Sequence, residues 1–443
     1  MKREKRIKCS YHWLILAACC CVTFTGIGLT INCLGLFFGP VAKELDVGRG
    51  KVAIFSTIVN LVTGFTGPFI STLLKKFRLR TIMSAGCIMV AVGFGILSMA
   101  DNVYIFYAMA PFIGAGATLL GTVVTFTVLN NWFKTRYGTV TGIMMAFGGV
   151  CGVVMSPAIN WVIERYSWRA AFLFIGLIGA VVALPGILFV LKLHPEENNL
   201  QPYGESEIEA KKEESSNAQS GNESGQYHLF SVSVMLVCLM TFSETATHGI
   251  NSHLPDYAME LELGSSVGAL LISACMVGNI SAKLLSGVLS DWIGSMKACL
   301  LMYGVSTAGL ALLFISPTQH LYYPMVGALL FGASFAINSL GTAQVIKRSF
   351  PERAFTRVYA YATAFGYVGI ALLTPVFGYI YDYTVSYRKA IFVAIFLKAL
   401  SVSCIALLRA YLKIKYSCAI STKSKWKRDG QTQERTQQAY HSV

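Results

Sequence analysis

Along most of this chain apolar residues come in long blocks separated by brief polar interruptions. Such blocks suit helices that cross a hydrocarbon layer roughly 30 Å thick at 1.5 Å of rise per residue. Twelve of them fall near residues 13–38, 52–74, 81–100, 104–129, 138–163, 170–192, 229–252, 265–288, 298–316, 321–346, 354–381 and 389–414. The interruptions are short within the first six and within the last six. Between the two sets lies a polar stretch, 193–228, with Glu196, Glu197, Glu205, Glu207, Glu209, Glu213, Glu214 and Glu223 among Ser, Asn and Gly. It has too little apolar surface to bury itself and reads as a flexible acidic linker. The pattern predicts an all-α integral membrane protein of twelve transmembrane helices. A six-helix half covers 1–192, the linker 193–228, a second six-helix half 229–414, and a polar, disordered tail 415–443.

Composition agrees with lipid as the solvent. Of 443 residues 54% are hydrophobic and 13% charged, against about 25% charged in soluble domains. A net charge of +14 would suit nucleic acid, but the basic residues are placed for a membrane. One side of the predicted bundle receives Lys2, Arg3, Lys5, Arg6 and Lys8, then Lys75, Lys76, Arg78 and Arg80, then Lys134, Arg136, Lys347, Arg348, Arg353, Arg357 and the tail. The other receives Lys43, Arg49, Lys51, Arg165, Arg169, Arg388 and Lys389. This excess puts both termini and the linker in the cytoplasm of a multi-pass plasma-membrane protein. Basic stripes interleaved with stacking aromatics are absent, so no nucleic-acid partner is expected. The twelve cysteines show no metal or disulfide spacing and read as packing residues, and neither metal nor cofactor is expected. The apolar run after the basic N-terminus is too long for a signal peptide and is read as a retained first span.

The two sets also repeat faintly. Gly114-Ala115, Trp132, Ala146-Phe147-Gly148 and Pro157 return 218 positions later as Gly332-Ala333, Phe350, Ala364-Phe365-Gly366 and Pro375. Helices 4 and 5 thus match helices 10 and 11, as in carriers built from two parallel six-helix repeats.

Chemistry-bearing residues inside the blocks are few. Lys283 lies in helix 8, about 12 Å in from Asp291 at the helix edge by rise per residue. A cation at that depth costs about 2.5–3.5 kcal/mol on insertion scales, so it faces a cavity or partner, unless it snorkels to the headgroups. Glu244 and His248 stand i,i+4 on helix 7, where a carboxylate and an imidazole can hold or pass a proton. The alternative is that Glu244 pairs with Lys283 as a structural bridge and His248 sits near the outer surface. Asn60, Asn279, Asn338, Tyr359, Tyr361 and Tyr367 could line a site or serve packing. Thr118, Thr122 and Thr125 in helix 4 stand equally between lining and packing. Gly148, Gly149, Gly152, Gly366 and Gly369 read as surfaces for close helix approach.

Gly287-Val-Leu-Ser-Asp291-Trp-Ile-Gly294 resembles the G-x-L-x-D-x-x-G loop between helices 8 and 9 of the major facilitator superfamily. Linker and tails aside, the chain resembles that family over nearly its whole length. The resemblance implies the major facilitator fold and a cytoplasmic latch in which Gly287, Asp291 and Gly294 gate. The counterpart between helices 2 and 3 is degenerate, with Ser71, Lys75 and Arg78 where Gly, Asp and Gly are usual. Asn131-Trp-Phe-Lys-Thr-Arg136-Tyr-Gly138 and Glu164-Arg-Tyr-Ser-Trp168-Arg169 are similar to the turns leading into helices 5 and 6 of the monocarboxylate and oxalate:formate antiporter branch, which adds Arg136 to the gating set. In that branch a basic residue of helix 8 engages the substrate carboxylate. Lys283 matches it, with Asn279 four residues earlier. The branch's acidic-glycine-aromatic signature in helix 1 is missing, Gly26-Ile-Gly28 and Asn32 standing there instead, and helix 11 has no second buried lysine. These departures favour a monoanion over a doubly charged substrate.

The expectation is therefore a secondary carrier working by alternating access. It moves a small, monocarboxylate-like organic anion by proton symport or anion exchange, and acts as a monomer in the bilayer. Lys283, Asn279, Asn60, Asn338, Tyr359 and Tyr361 are expected at the substrate, Glu244 and His248 in proton coupling, and Asp291, Gly287, Gly294 and Arg136 in gating. Two rivals are an exporter of drugs or amphipaths, with Glu244 holding a cation, and a non-transporting ligand sensor. Primary pumping lacks a Gly-rich phosphate loop, and an enzyme lacks a nucleophile–base pair or metal cluster.

Overall fold

A computed structural model of the chain describes residues 2–198, 200–204, 231–350 and 352–412. Most of the expected linker and nearly all of the expected tail lie outside these residues. All twelve apolar blocks are helical. In chain order α1 covers Tyr11–Glu44, α2 Arg49–Thr66 and Ile70–Lys76, α3 Leu79–Leu97, α4 Val103–Trp132, α5 Tyr137–Arg165 and α6 Trp168–Val190. In the second set α7a covers Val232–Ala246, α7b Gly249–Glu260, α8 Ser265–Ile293 and α9 Ser295–Ile315. There α10 runs from Tyr322–Phe331 to Thr342–Ser349, α11 covers Glu352–Thr384 and α12 Tyr387–Leu412. Nine helices among the described residues are long and apolar enough to cross a membrane. The remaining three rods, α2, α7 and α10, are interrupted.

The break in α7 is local and satisfied. At Thr247 and His248 the backbone bonds shorten from i−4 to i−3, and the Thr247 hydroxyl donates to the Glu244 carbonyl at 2.7 Å. The Glu244 carbonyl thus accepts both the amide and the hydroxyl of Thr247, which tightens the turn at the break. The next turns, Gly249 to Ala258, are buried at every position although they contain Asn251, Ser252, His253 and Asp256. A segment this polar can be buried only against protein.

Glycines set the tightest crossing. A Cβ on Gly278 of α8 would stand 1.8 Å from the Leu329 carbonyl oxygen of α10, and one on Gly332 of α10 would stand 2.1 Å from that of Cys275. Both obstacles are backbone, so neither can swing aside. Gly278→Ala is expected to cost at least the 1–3 kcal/mol typical of overpacking, seen as a lower Tm in detergent. Gly304→Ala, with nothing within 4 Å of its added Cβ, should leave Tm unchanged.

Burial divides unevenly between the two ends of the molecule. One apolar core runs through the first six helices and continues into the second set only through residues such as Ile250, Leu254, Ile272, Met276, Leu313, Phe331, Phe377 and Ile391. The other end of the second set has its own core around Val237, Met240, Met302, Ile337, Ile346, Val358 and Leu408. Hydrogen bonds between the sets follow the same division. Ser265 and Ser266 donate to Glu164, Ser273 to the Val153 carbonyl at 3.0 Å, Thr57 to the Ala371 carbonyl at 2.5 Å, and the Arg49 and Gly50 amides to Asp382. All these lie toward the end remote from the N-terminus. Among the described residues the joints between the two sets gather there and thin out toward the terminal end.

One expectation needs correction. The segment from 193 was expected to be a free linker, but its start is docked on the first set. Pro195 is buried, the Tyr203 amide donates to the Trp132 carbonyl at 2.8 Å, and the Lys134 amide donates to the Tyr203 carbonyl at 3.0 Å. The Tyr203 ring lies 5.7 Å from that of Phe133. One aromatic side chain with a turn's worth of backbone hydrogen bonds overrides the polar composition of its neighbours.

Candidate substrate and coupling site

Met276, Ile280 and Lys283 follow one another on α8 at spacings of four and three, which places them on one helix face. The first two define what that face meets. Met276 packs on Gly152 and Ile280 on Gly149, both on α5 of the other set. Lys283 comes next, one turn nearer the end where the sets part. It is half-buried, and no carboxylate among the described residues lies within salt-bridge distance. The alternative bridge to Glu244 is excluded, because Glu244 is already paired.

Its partner is Lys398 of α12, and both side chains are 0% exposed. The ammonium contacts Glu244 Oε1 and donates to Ser334 Oγ at 2.7 Å, while the Ser334 hydroxyl donates to Glu244 Oε1 at 2.8 Å. His248 Nε2 lies 3.1 Å from the same hydroxyl oxygen. Because the Ser334 proton is committed to Glu244, Nε2–H is the donor in that contact. The imidazole stacks on Phe335 with centroids 4.1 Å apart, and both Lys283 and Lys398 are within electrostatic reach of its ring. His248 is 4% exposed, buried within the second set. The pair has further polar neighbours. The Ser243 and Ser401 hydroxyls lie 2.7 Å apart, and the Lys398 ammonium stands 5.5 Å from the Tyr303 ring centroid. Glu244 Oε2 and Tyr303 Oη are buried without a hydrogen-bond partner.

The sequence reading missed Lys398. It looked for a second buried lysine on helix 11 and found none, yet helix 12 carries one. The depth argument applied to Lys283 would have found it: Lys398 stands eleven residues inside α12, roughly 16 Å at 1.5 Å per residue.

The other expected residues fall in different surroundings. Asn279 is buried one turn before Lys283, with Oδ1 unpartnered and Nδ2 facing Met276 Sδ at 3.9 Å. Asn338 on α10 accepts from Thr245 at 3.0 Å, which ties it to α7a beside the Glu244 cluster. Asn60 is buried in α2 and its amide donates to the Ser56 carbonyl of its own helix at 2.8 Å. Tyr359 stacks on Phe355 at 5.7 Å, and it and Tyr361 pack against the second core. The helix 4 threonines Thr118 and Thr125 return bonds to carbonyls of their own helix, at 2.9 and 3.2 Å. On the terminal side, Gly294 separates α8 from α9 with φ +85°, a left-handed conformation that favours glycine. Arg136 precedes α5 at φ +58° and is exposed. The side chains of Gly287 and Asp291 lie outside the described residues.

Two helical sets parted at one end, an unneutralised cation on the dividing face and interrupted helices near mid-depth are features of a carrier rather than of a channel or receptor stalk. The sequence profile of the Major Facilitator Superfamily matches residues 16–374. The chain belongs to that superfamily. It is similar to monocarboxylate transporter 12-B of Danio rerio, 23% identical over 413 residues that cover 87% of this chain and 84% of that protein. It is also similar to the sialic acid transporter NanX of Escherichia coli (strain K12), 22% identical over 308 residues, 70% of this chain and 71% of that protein. The crystal structure of the nucleoside transporter NupG superposes with a TM-score of 0.69 at 8% identity, covering 89% of this chain and 99% of that one. That likeness establishes the fold. The protein is a multi-pass membrane transporter of the Major Facilitator Superfamily.

Proposed function

We propose that this transporter is a secondary carrier for small organic anions of the monocarboxylate type, worked by alternating access between its first and last six helices. The observation that carries the reading is the free charge of Lys283. It sits where the sets begin to part, and Glu244, the nearby acid that could have neutralised it, is taken up by Lys398. A half-buried cation without a counter-ion is costly unless an anion visits it. Two relatives named for acids, monocarboxylate and sialic acid, support the same cargo class. The pairing of Glu244 also removes the carboxylate that an exporter of cationic amphipaths would need.

In this reading Lys283 holds the carboxylate, with Asn279, Asn60, Asn338, Tyr359 and Tyr361 around the remainder of the substrate. Glu244 and His248, joined through Ser334, serve coupling by proton symport or anion exchange. Asp291, Gly287, Gly294 and Arg136 gate the terminal side. The halves are 1–192 and 229–414, joined by 193–228 and followed by a tail, 415–443. Both termini face the cytoplasm, and the protein works as a monomer in the plasma membrane.

The test is flux in reconstituted vesicles. A labelled monocarboxylate should enter faster with an inward proton gradient or a trapped counter-anion than with neither, and a lipophilic cation should not respond to either. Selective movement of the cation, or carboxylate entry no faster than in protein-free vesicles, would overturn the proposal.

A further inference from the structure

The seal at the end remote from the termini contains charges that this transport reading leaves unused. Asp256 of α7b is 5% exposed, and its Oδ1 stands 3.5 Å from Arg49 Nε of α2, longer than a good hydrogen bond. Asp256 Oδ2 and Arg49 Nη1 are both buried without a hydrogen-bond partner. The Arg49 guanidinium lies over the Tyr381 ring of α11 at 4.2 Å. A second carboxylate, Asp382, follows on α11 and accepts the Arg49 and Gly50 amides at 3.0 and 2.9 Å. From its own helix Asp256 has His253 nearby, whose Nε2–H donates to the Thr374 carbonyl at 2.8 Å and whose Nδ1 accepts from Tyr387 of α12 at 3.2 Å. From α1 it meets Gly39, which carries no charge.

Within reach of Asp256 there is one cation, Arg49, and one further carboxylate, Asp382. Asp382 is held by two backbone amides at the start of a helix, a setting that favours its anion. His253 has both nitrogens satisfied as a neutral ring. Asp256 is left as the under-compensated anion: Oδ1 stands 3.5 Å from Arg49, Oδ2 has no hydrogen-bond partner, and the Tyr387 hydroxyl of α12, which also faces it, is shared with His253, in a place closed to water. Burying such a charge costs free energy, which a bound proton removes. When the sets part at this end Asp256 meets water and the cost disappears.

We infer that Asp256 is a proton-binding switch in the outer seal, so that acid on the side remote from the termini holds the seal shut. The proton stays under the closed seal while the terminal end is open, so it regulates the carrier rather than travelling with the substrate. The inference rests on alternating access but not on the identity of the cargo. By linkage, one proton bound only in the sealed state can shift the sealed-to-open ratio by up to about tenfold per pH unit.

Spin labels at Lys51→Cys and Tyr383→Cys, both exposed at the sealed end of opposite sets, would read the opening as a distance in the otherwise cysteine-free, full-length protein in nanodiscs. The long-distance population should shrink several-fold between about pH 8 and pH 6. With Asp256→Asn, which resembles the protonated acid, the short distance should dominate at both pH values. With Arg49→Gln, which leaves two carboxylates and no cation, the long-distance population should rise at the higher pH. An unchanged pH response in Asp256→Asn, an opening on acidification, or loss of the response in His253→Gln alone would overturn the inference. The Lys283→Gln protein should keep the native response. Loss of carboxylate flux with the response intact therefore leaves this switch standing, and failure of the response leaves the anion reading standing.

Discussion

Lys283→Gln is expected to lower carboxylate flux by at least tenfold while leaving the protein as stable as before, or slightly more so. A hydrogen bond to a charged group contributes about 1.5–3 kcal/mol, and each 1.4 kcal/mol is a factor of ten in affinity. The glutamine keeps a donor of similar length but loses the charge, so the substrate's carboxylate loses its counter-ion. Stability should not suffer, because no carboxylate among the described residues pairs with this ammonium. Lys283→Arg should retain a good part of the flux. Uptake in proteoliposomes alongside thermal unfolding in detergent separates the outcomes. A large fall in Tm with flux per folded molecule intact would make Lys283 a structural residue and remove the cargo assignment.

Breaking the Glu244–Lys398 pair should have the opposite profile. Glu244→Gln leaves a fully buried ammonium without its counter-charge, and Lys398→Met leaves a fully buried carboxylate. Each should cost about 3–5 kcal/mol, the usual cost of stranding one partner of a buried pair. Replacing both at once, Glu244→Met with Lys398→Met, should recover most of that loss, since two apolar side chains of similar length need no charge compensation. Thermal unfolding of the three proteins checks this directly. The double variant also tests coupling: if it exchanges anions but no longer accumulates them against a proton gradient, the pair serves coupling. If both activities survive, the pair only holds α7a to α12.

The helices were legible because a bilayer forces long apolar blocks, and those blocks recur at every predicted place. Lys283 was legible for the same reason, since it is the one charged residue between Ser265 and Ser290. What pairs with what was not. The spacing of Glu244 and His248 put them on one face, but their partners Ser334 and Lys398 come from α10 and α12, and nothing in a one-dimensional pattern brings those three helices together. Arg49 and Asp256 were harder still. They stand at helix ends, where charged residues are ordinary, and only the packing of α7b against α2 and α11 turns two unremarkable loop charges into a buried contact. The docked start of the linker escaped notice because composition was averaged over a stretch in which Tyr203 alone decides the outcome.

Gly35, Gly39, Gly50 and Gly378 all stand at the seal, where an added Cβ would meet the Ser252 backbone, the Asp256 carboxylate, the Tyr379 ring and the Gly50 backbone in turn. At these four crossings closure has a tolerance smaller than one methyl group. A surface of that kind has no adjustable parts, so it cannot half-close around solutes of different bulk.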